Sequence, residues 1–496
     1  MKFSELIGNI PYRLAPNSPD PADFEVDGVC RDADKAKKTS VYVCENSALC
    51  NAYLSAPRAY ARGCRVFLSA RELSLPRDAA GLLFDDLDAV AAKSAVRAGK
   101  EAARALTVIG VCGALGKTSV ILSFLDMARR AGRFAAAICR EGVWRCGTLT
   151  RGKERALDAF DLEEFFADCA AGGVEIAVVE ISAYMLLKKS AFSIPFAAVL
   201  CTGAQFEREA GGIAASPAEC LAALFDFLKD VAAPCLILPA EMRESAAYSA
   251  LAKAATRVFS VGESEDDFAV LSCREMEDRT AGAGCFTLKT PETVFENVVL
   301  PSLSPFAAEN ALFAAFLAQF VGVGRQEILA SLTKTPPYGT MEVLSRAGDR
   351  LIVCDSAYTP RMLKRALAAL RARTPEKLTM LFGSVGGRAK ARRKEFARVA
   401  ETYADFTYLT ADDPDGEPIE AILSEMESAF ADPSRCARVP DRAAAIARAV
   451  REMRAGDTLL LAGKSRDTAQ KLHGQLVPFS ERDAVRAVLD NFYFLL

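Results

Sequence analysis

At 496 residues the chain exceeds one ordinary domain, and the length prior of roughly 150 residues apiece suggests about three. Its 61 basic and 64 acidic residues give a net charge of −3. That balance excludes the basic footprint of a nucleic-acid binder and the polybasic patch of a membrane-surface protein, leaving small molecules as the expected partners.

Fifteen cysteines in odd number, with no C-x-x-C pair, fit thiols in a reducing compartment rather than a disulfide framework. Met1 to Leu14 lacks a charged segment leading into an apolar one, and no apolar run nears the ~18 residues a membrane span requires. A cytoplasmic protein is expected. The single histidine, His473, argues against histidine zinc sites and histidine-activated nucleophiles. Catalysis must then rest on carboxylates, lysines and bound Mg²⁺.

Residues 1–98 alternate short strands (Ser40 to Cys44, Arg65 to Leu68, Gly81 to Phe84) with helical runs (Ala48 to Ala61, Asp86 to Ala98), a small α/β domain. Val108 to Ser119 then reads V-I-G-V-C-G-A-L-G-K-T-S. A β-branched strand from Thr107 meets a glycine turn, and Lys117-Thr118-Ser119 opens an apolar helical pattern. This is the layout of a phosphate-binding loop. Gly113 and Gly116 let backbone N–H groups reach the phosphates at a helix N-terminus, Lys117 adds a charge, and Thr118 can hold Mg²⁺. Val111 stands where the general pattern has its first glycine, with Gly110 one place early. The competing reading is a glycine turn that binds nothing.

Residues 99–335 continue as strand and helix units: Ala135 to Cys139, Leu162 to Ala171, Glu175 to Ile181, Ala197 to Thr202, Cys220 to Leu228 and Cys235 to Leu238. Such alternation implies a mostly parallel sheet with ligands at the strands' carboxyl ends. Glu180, directly after Ile176 to Val179, suits a Mg²⁺ ligand or its support, or else faces water. Glu207 and Glu209 lie after the next strand, as groups near a second metal or an attacking amine, or as a solvated loop. Phe306, Phe313, Phe316 and Phe320, at helical spacing, read as core.

Pro336-Pro337 marks a break, and residues 336–496 restart as a doubly wound α/β domain. Leu351 to Cys354 runs into Asp355, and a helix follows from Arg361 to Arg371. Later strands (Leu378 to Phe382, Phe406 to Thr410, Thr458 to Leu461) end in the turns Gly383 to Arg388, Asp412-Asp413-Pro414 and Gly463-Lys464. Asp355, Arg388, Asp413 and Lys464 can face a nucleotide or charged substrate, or be surface charges.

In this order the motifs resemble the Mur ligases, most closely the UDP-N-acetylmuramoyl-tripeptide synthetases. The family's T-G-T-x-G-K-T/S is matched by Cys112-Gly113-Ala114-Leu115-Gly116-Lys117-Thr118-Ser119, and E-x-S-S-H by Glu180-Ile181-Ser182-Ala183-Tyr184. F-T-N-x-x-x-D-H is matched from Cys201-Thr202-Gly203 to Glu207-Arg208, and F-N-x-x-N by Phe306 to Asn310. G-R-M-E is matched by Gly339-Thr340-Met341-Glu342, D-Y-A-H-T-P by Asp355 to Pro360, and F-G-x-G-G-x-R-D by Phe382 to Ala389. D-N-P-R and A-G-K-G-H-E correspond to Asp412-Asp413-Pro414-Asp415 and Ala462 to Asp467.

The resemblance implies three domains, for the UDP end, for ATP and for the incoming amino acid. It implies an enzyme that activates the carboxylate of a UDP-MurNAc-peptide or similar acid as an acyl phosphate, which an amine then attacks. It implies Lys117, Glu180 and Glu207 as catalytic residues, and Thr118 and Glu180 as Mg²⁺ ligands. ATP would fall to Gly113, Gly116, Lys117, Thr118, Ser119, Asn310 and Asp355, and substrate to Ser182, Arg388, Asp413, Gly463 and Lys464. Four family histidines are replaced here, by Tyr184, Arg208, Tyr358 and Arg466, and the family's carbamylated lysine aligns with Leu224. Thr340 and Asp415 stand where the family has arginines, and an aspartate would repel the carboxylate such an arginine clamps. The alternative is a catalytically degenerate relative that binds nucleotide or UDP-sugar in a regulatory or structural role.

Overall fold

In the computed structural model the described residues are 1–44, 46–47, 50–151, 157–192, 194–204, 206, 216–231, 235–243, 248, 257–262, 265–275, 284–300, 306–334, 339–347, 349–357, 359–387 and 390–493. They fall into two units, residues 1–117 with 128–261 and residues 118–127 with 262–496.

In the first unit, β1 (Arg13–Leu14), β2 (Gly28–Cys30), β3 (Ser40–Val43), β4 (Val66–Ser69) and β5 (Ala80–Leu83) form a sheet ordered β1-β5-β4-β3-β2. All its pairings are parallel except β1 with β5. Helices α1 (Phe3–Ile7), α2 (Ala52–Ala61) and α3 (Leu87–Ala103) accompany it. Asp86 caps α3 by accepting from the Ala89 amide, and the helix runs through residue 98.

The same unit holds β6 (Thr107–Cys112), β7 (Ala135–Cys139), β8 (Gly142–Arg145), β9 (Thr148–Arg151), β10 (Ile176–Glu180), β11 (Phe196–Cys201), β12 (Cys235–Pro239) and β13 (Arg257–Gly262), ordered β9-β8-β7-β10-β6-β11-β12-β13. From β7 to β13 the pairings are parallel. The β-branched and alanine-rich strand interiors are buried on both faces, as a covered parallel sheet requires. The helices are α4 (Lys117–Arg130), whose residues 118–127 belong to the second unit, α5 (Ala159–Ala171), α6 (Ala183–Leu187) and α7 (Pro217–Asp230). A reciprocal Asp158/Asp161 cap opens α5, and Ser216, Pro217 and Glu219 open α7. The antiparallel β8–β9 hairpin is a departure from the expected strand and helix alternation. Its two-residue turn, Cys146-Gly147, has both φ angles positive, the geometry that matches hairpin twist.

The second unit contains an antiparallel set, β14 (Phe268–Glu275), β15 (Gly284–Lys289) and β16 (Val294–Leu300), where the sequence had suggested continued parallel strands. Helices α8 (Ala307–Phe320) and α9 (Arg325–Lys334) follow, and Phe316 packs edge-on against Phe268. Phe306 caps α8, while Phe313 and Phe316 are buried, as their spacing anticipates. Phe320, at the helix end, is 37 % exposed and departs from the expected core role.

Next come β17 (Glu342–Ala347), β18 (Arg350–Asp355), α10 (Pro360–Arg371), β19 (Leu378–Phe382), α11 (Lys390–Tyr403), β20 (Phe406–Leu409), α12 (Ile419–Glu427), β21 (Cys436–Arg438), α13 (Arg442–Glu452) and β22 (Thr458–Ala462). The hairpin of β23 (Ala469–Leu472) and β24 (Gln475–Pro478) and helix α14 (Glu481–Tyr493) end the chain's regular structure. The sheet order β17-β18-β22-β19-β20-β21 is parallel apart from β17. One core cluster packs α10, α11 and α12 on this sheet and another packs α13 and α14, the doubly wound arrangement.

Candidate functional site

Gly110 lies inside β6, and a Cβ there would sit 2.9 Å from Cδ1 of Ile181 and 3.1 Å from Cε1 of Phe196. It is a packing glycine, which explains why it falls one place early. The loop proper begins at Gly113, held at φ +108°, where a Cβ would come within 2.8 Å of the Gly203 oxygen and the Thr202 nitrogen. Only glycine fits there. Gly116 also has positive φ, +84°. The Ala114 amide donates to the Gly203 carbonyl at 2.9 Å, and the Thr202 amide to that of Cys112 at 3.0 Å. Thr202 and Gly203, which the sequence placed at a strand end and in the F-T-N-x-x-x-D-H match, thus brace the loop.

Lys117 opens α4 and turns its ammonium back over the loop, donating to the Gly113 and Ala114 carbonyls at 2.8 and 3.2 Å. Thr118 and Ser119 follow in the first turn of α4. A glycine loop closed by its own lysine at a helix N-terminus presents positive charge and backbone donors to a phosphate.

Glu180 ends β10 in register with Val111 of β6, and is buried. A carboxylate oxygen of Glu180, one of Glu141 and the Cys139 sulfur lie within 4.8 Å of one another, three donor atoms grouped beside the loop strand. Burial first, then the Glu180 and Glu141 carboxylates, push the Cys139 thiol well up, so it stays protonated. The two carboxylates supply the hard oxygen donors that Mg²⁺ prefers, and the thiol does not. Cys139 and Glu141 carried no motif signal, because their proximity to Glu180 depends on β7 pairing with β10. Ser182 accepts from the Met185 amide at 3.3 Å as the cap of α6. Leu224 is buried in the core beside Cys220 and Phe227, while Lys229 is exposed.

In the second unit, Asn310 lies in the first turn of α8, its amide bonded to the Phe306 carbonyl at 2.9 Å. Asp355 ends β18 fully buried. It accepts from the Met341 amide at 2.8 Å and from that of Ala357, and burial pushes its carboxyl up to about 7. Two distant motifs meet here. Ser465 Oγ donates to the Gly339 carbonyl at 2.9 Å, and Arg466 Nε to Glu342 Oε2 at 2.6 Å.

Lys464 is buried with its ammonium 2.7 Å from Asp413, 3.4 Å from Asp412 and 3.3 Å from Asp467. Burial alone would lower its pKa, but Asp412, Asp413 and Asp467 outweigh it and hold the ammonium charged. Asp413 also accepts from the Lys471 amide at 2.8 Å. Gly463 has φ +108°, and a Cβ there would lie 3.0 Å from Asp412 Oδ2. Asp413, Gly463 and Lys464 are therefore brought together, with their charges on one another.

Arg393, which no motif included, is fully buried beside the F-G-x-G-G-x-R-D turn. It grips Glu417 with two bonds of 2.9 and 2.7 Å, and Glu425 at 2.7 Å. Arg393 holds the Glu417 carboxyl down at about 2. Glu417 in turn accepts from the Gly387 amide at 2.8 Å, locking the glycine turn after β19. Asp415, at φ +53°, pairs with Lys471 at 2.9 Å. A cleft beside it is lined in part by Pro414, Asp441 and His473. Glu207 and Glu209 with Arg208, and Arg388, Tyr358 and Pro336-Pro337, lie outside the described residues. Among the described residues no helix is long and apolar enough to cross a membrane.

Residues 340–465 match the family model for the Mur ligase, glutamate ligase domain. The UDP-N-acetylmuramoyl-L-alanyl-D-glutamate--2,6-diaminopimelate ligase of Chlorobaculum tepidum is 31% identical over 77% of this chain and 76% of its own. The ligase of that name from Bradyrhizobium diazoefficiens is 31% identical over 78% and 79%. Among solved structures, a UDP-N-acetylmuramoyl-L-alanyl-D-glutamate--2,6-diaminopimelate ligase superposes with a TM-score of 0.65 at 21% identity, covering 99% of both chains. A folylpolyglutamate synthase from Mycobacterium tuberculosis superposes at 0.57, with 17% identity over 75% of this chain and 92% of that one.

Proposed function

Because the chain belongs to the Mur ligase family, we propose that it joins an amino acid to a UDP-MurNAc-peptide or similar acid at the expense of ATP, in peptidoglycan precursor synthesis. The observation that carries this reading is the glycine loop from Gly113 to Lys117, closed by the lysine ammonium on its own carbonyls. Lys117 turns from those carbonyls to the phosphates, and the loop amides stabilise charge on the transferred group. The acid's carboxylate attacks the terminal phosphorus, giving an acyl phosphate and ADP. The amine then attacks the acyl carbon, and phosphate leaves as the amide forms.

The grouped carboxylates fit a hard cation, and Glu180 with the Thr118 hydroxyl would hold Mg²⁺, which supplies neutralisation of phosphate charge when bound. In this reading residues 1–98 take the UDP end, 99–335 the ATP and 336–496 the amino acid. Glu207 acts near the attacking amine, and Asn310 and Asp355 contribute to the nucleotide site. Ser182, Arg388, Asp413, Gly463 and Lys464 shape the substrate sites. Asp415 favours an amine substrate without a second carboxylate, since it stands where the family's clamping arginine would.

A second reading, a catalytically degenerate relative that binds nucleotide or UDP-sugar, is favoured by Leu224, whose burial in the core leaves no lysine at the carbamate position. Coupled ADP release with Mg²⁺-ATP, UDP-MurNAc-L-Ala-D-Glu and a panel of amino acids, beside Lys117→Ala, separates the two. Release that requires both acid and amine, and is lost in the variant, supports the ligase and names its amine. Nucleotide binding without turnover on any acid supports the degenerate relative.

A further inference from the structure

Two cysteines outside the proposed chemistry sit directly beneath the phosphate loop. Cys112 ends β6 and Cys201 ends β11, and the two strands are neighbours in which these residues are register partners. Side chains of register partners on adjacent strands point to the same face, and both belong to the same buried cluster. The neighbouring Cys201 thiol, and then burial, push the Cys112 thiol well up. Each is followed at once by loop residues that the site depends on: Gly113 after Cys112, Thr202 and Gly203 after Cys201. The Cys112 carbonyl accepts from both the amide and the hydroxyl of Thr202, at 3.0 and 3.2 Å, and Cys201 Sγ lies 3.7 Å from the Gly203 oxygen. The cover above the pair is thin, since Ala114, Thr202 and Gly203 are only half-buried.

We infer that Cys112 and Cys201 form an oxidisable dithiol, which a peroxide converts to a disulfide that deforms the phosphate loop. The Cys112 sulfur attacks one peroxide oxygen. An S–O bond forms, the O–O bond breaks, and one water leaves after protonation. The Cys201 sulfur then attacks the resulting sulfenyl sulfur. The S–S bond forms, the S–O bond breaks, and the second water leaves with the remaining thiol proton. Two thiols lose two electrons in all, and one peroxide gains them. Both sulfurs are buried while the loop is closed, so the reaction proceeds when the loop lifts, through a local opening. Register partners on adjacent strands stand about 4.8 Å apart, short of the roughly 5.5–6 Å a disulfide prefers, so the bond spreads the ends of β6 and β11 and displaces the Cys112 carbonyl on which Thr202 rests. Nucleotide on the loop holds the cover down and protects the pair. The effect on nucleotide affinity rests on the phosphate-loop reading, whereas the cross-link does not.

The test is hydrogen peroxide treatment of the full chain with and without ATP, then alkylation under denaturing conditions and mass spectrometry of the peptides. Cys146, exposed and on the hairpin turn, serves as the internal comparison. The expected result is a Cys112–Cys201 cross-linked peptide that forms more slowly with ATP. Nucleotide affinity should fall by about tenfold or more, the loss expected from one charge-assisted contact, and return with dithiothreitol. In Cys201→Ala the cross-link and the affinity loss both disappear. Should that variant not fold, the wild-type peptides decide alone. Free alkylated thiols at both positions after Cys146 has oxidised, or a sulfinic acid at either without a cross-link, overturn the inference. A cross-link with unchanged nucleotide affinity would refute the loop coupling, and an absence of nucleotide binding in reduced protein would refute the phosphate-loop reading instead.

Discussion

Replacing Glu163 by glutamine should stabilise the protein at neutral pH and leave it unchanged in acid. Glu163 projects from α5 against the backbone of β2, where a Cβ on Gly28 would overlap its Oε1. The Gly99 face of α3 packs against its own Cα, and the side chain is buried. Burial first, then Asp27 and Glu164, push its carboxyl from 4.5 up to about 8, with Asp168 adding to this and Lys37 opposing it. Between those two values the unfolded chain has released a proton that the folded chain keeps. Stability therefore falls as pH rises, by about 1.4 kcal/mol per pH unit, and the loss at pH 7 comes to about 3 kcal/mol. Glutamine keeps the shape and cannot ionise. Urea unfolding followed by the fluorescence of Trp144, the single tryptophan and a residue of the same unit, reads the difference. Wild type and Glu163→Gln should coincide near pH 4 and diverge steadily up to about pH 8 in favour of the variant. Stabilities that differ by a constant amount across that range would refute the burial argument.

Lys117→Ala should unfold at the same midpoint as wild type while calorimetry shows nucleotide affinity reduced about 10- to 100-fold, the loss of a charge-assisted contact. Gly386→Ala places a methyl on the Pro414 carbonyl, so thermal unfolding of the second unit should show a loss of about 1–3 kcal/mol. Lys464→Met leaves Asp412, Asp413 and Asp467 without their shared cation. Denaturant unfolding should record a cost of about 3–5 kcal/mol at pH 7.

Much of the fold was legible because its signals are local. Burial on both faces makes β6, β10 and β22 continuous apolar runs, and caps such as Asp86 and Ser216 announce their helices within three residues. The antiparallel strands β14 to β16 were not legible, because a short apolar run does not say which way its neighbour points. The β8–β9 hairpin hid in a Cys146-Gly147 pair rather than the usual asparagine or aspartate turn.

The sequence by itself determined a strand, a glycine turn and a helix headed by Lys117, since backbone freedom and helix initiation are decided by residues a few positions apart. It also placed Glu180, Asp355 and Lys464 at strand ends. Only the tertiary structure decided what those groups touch: that Gly110 makes room for Phe196, that Cys112 meets Cys201, and that Lys464 is spent on three aspartates. Such contacts join residues far apart in the chain, and strand order and register, which no local pattern encodes, determine which of them meet.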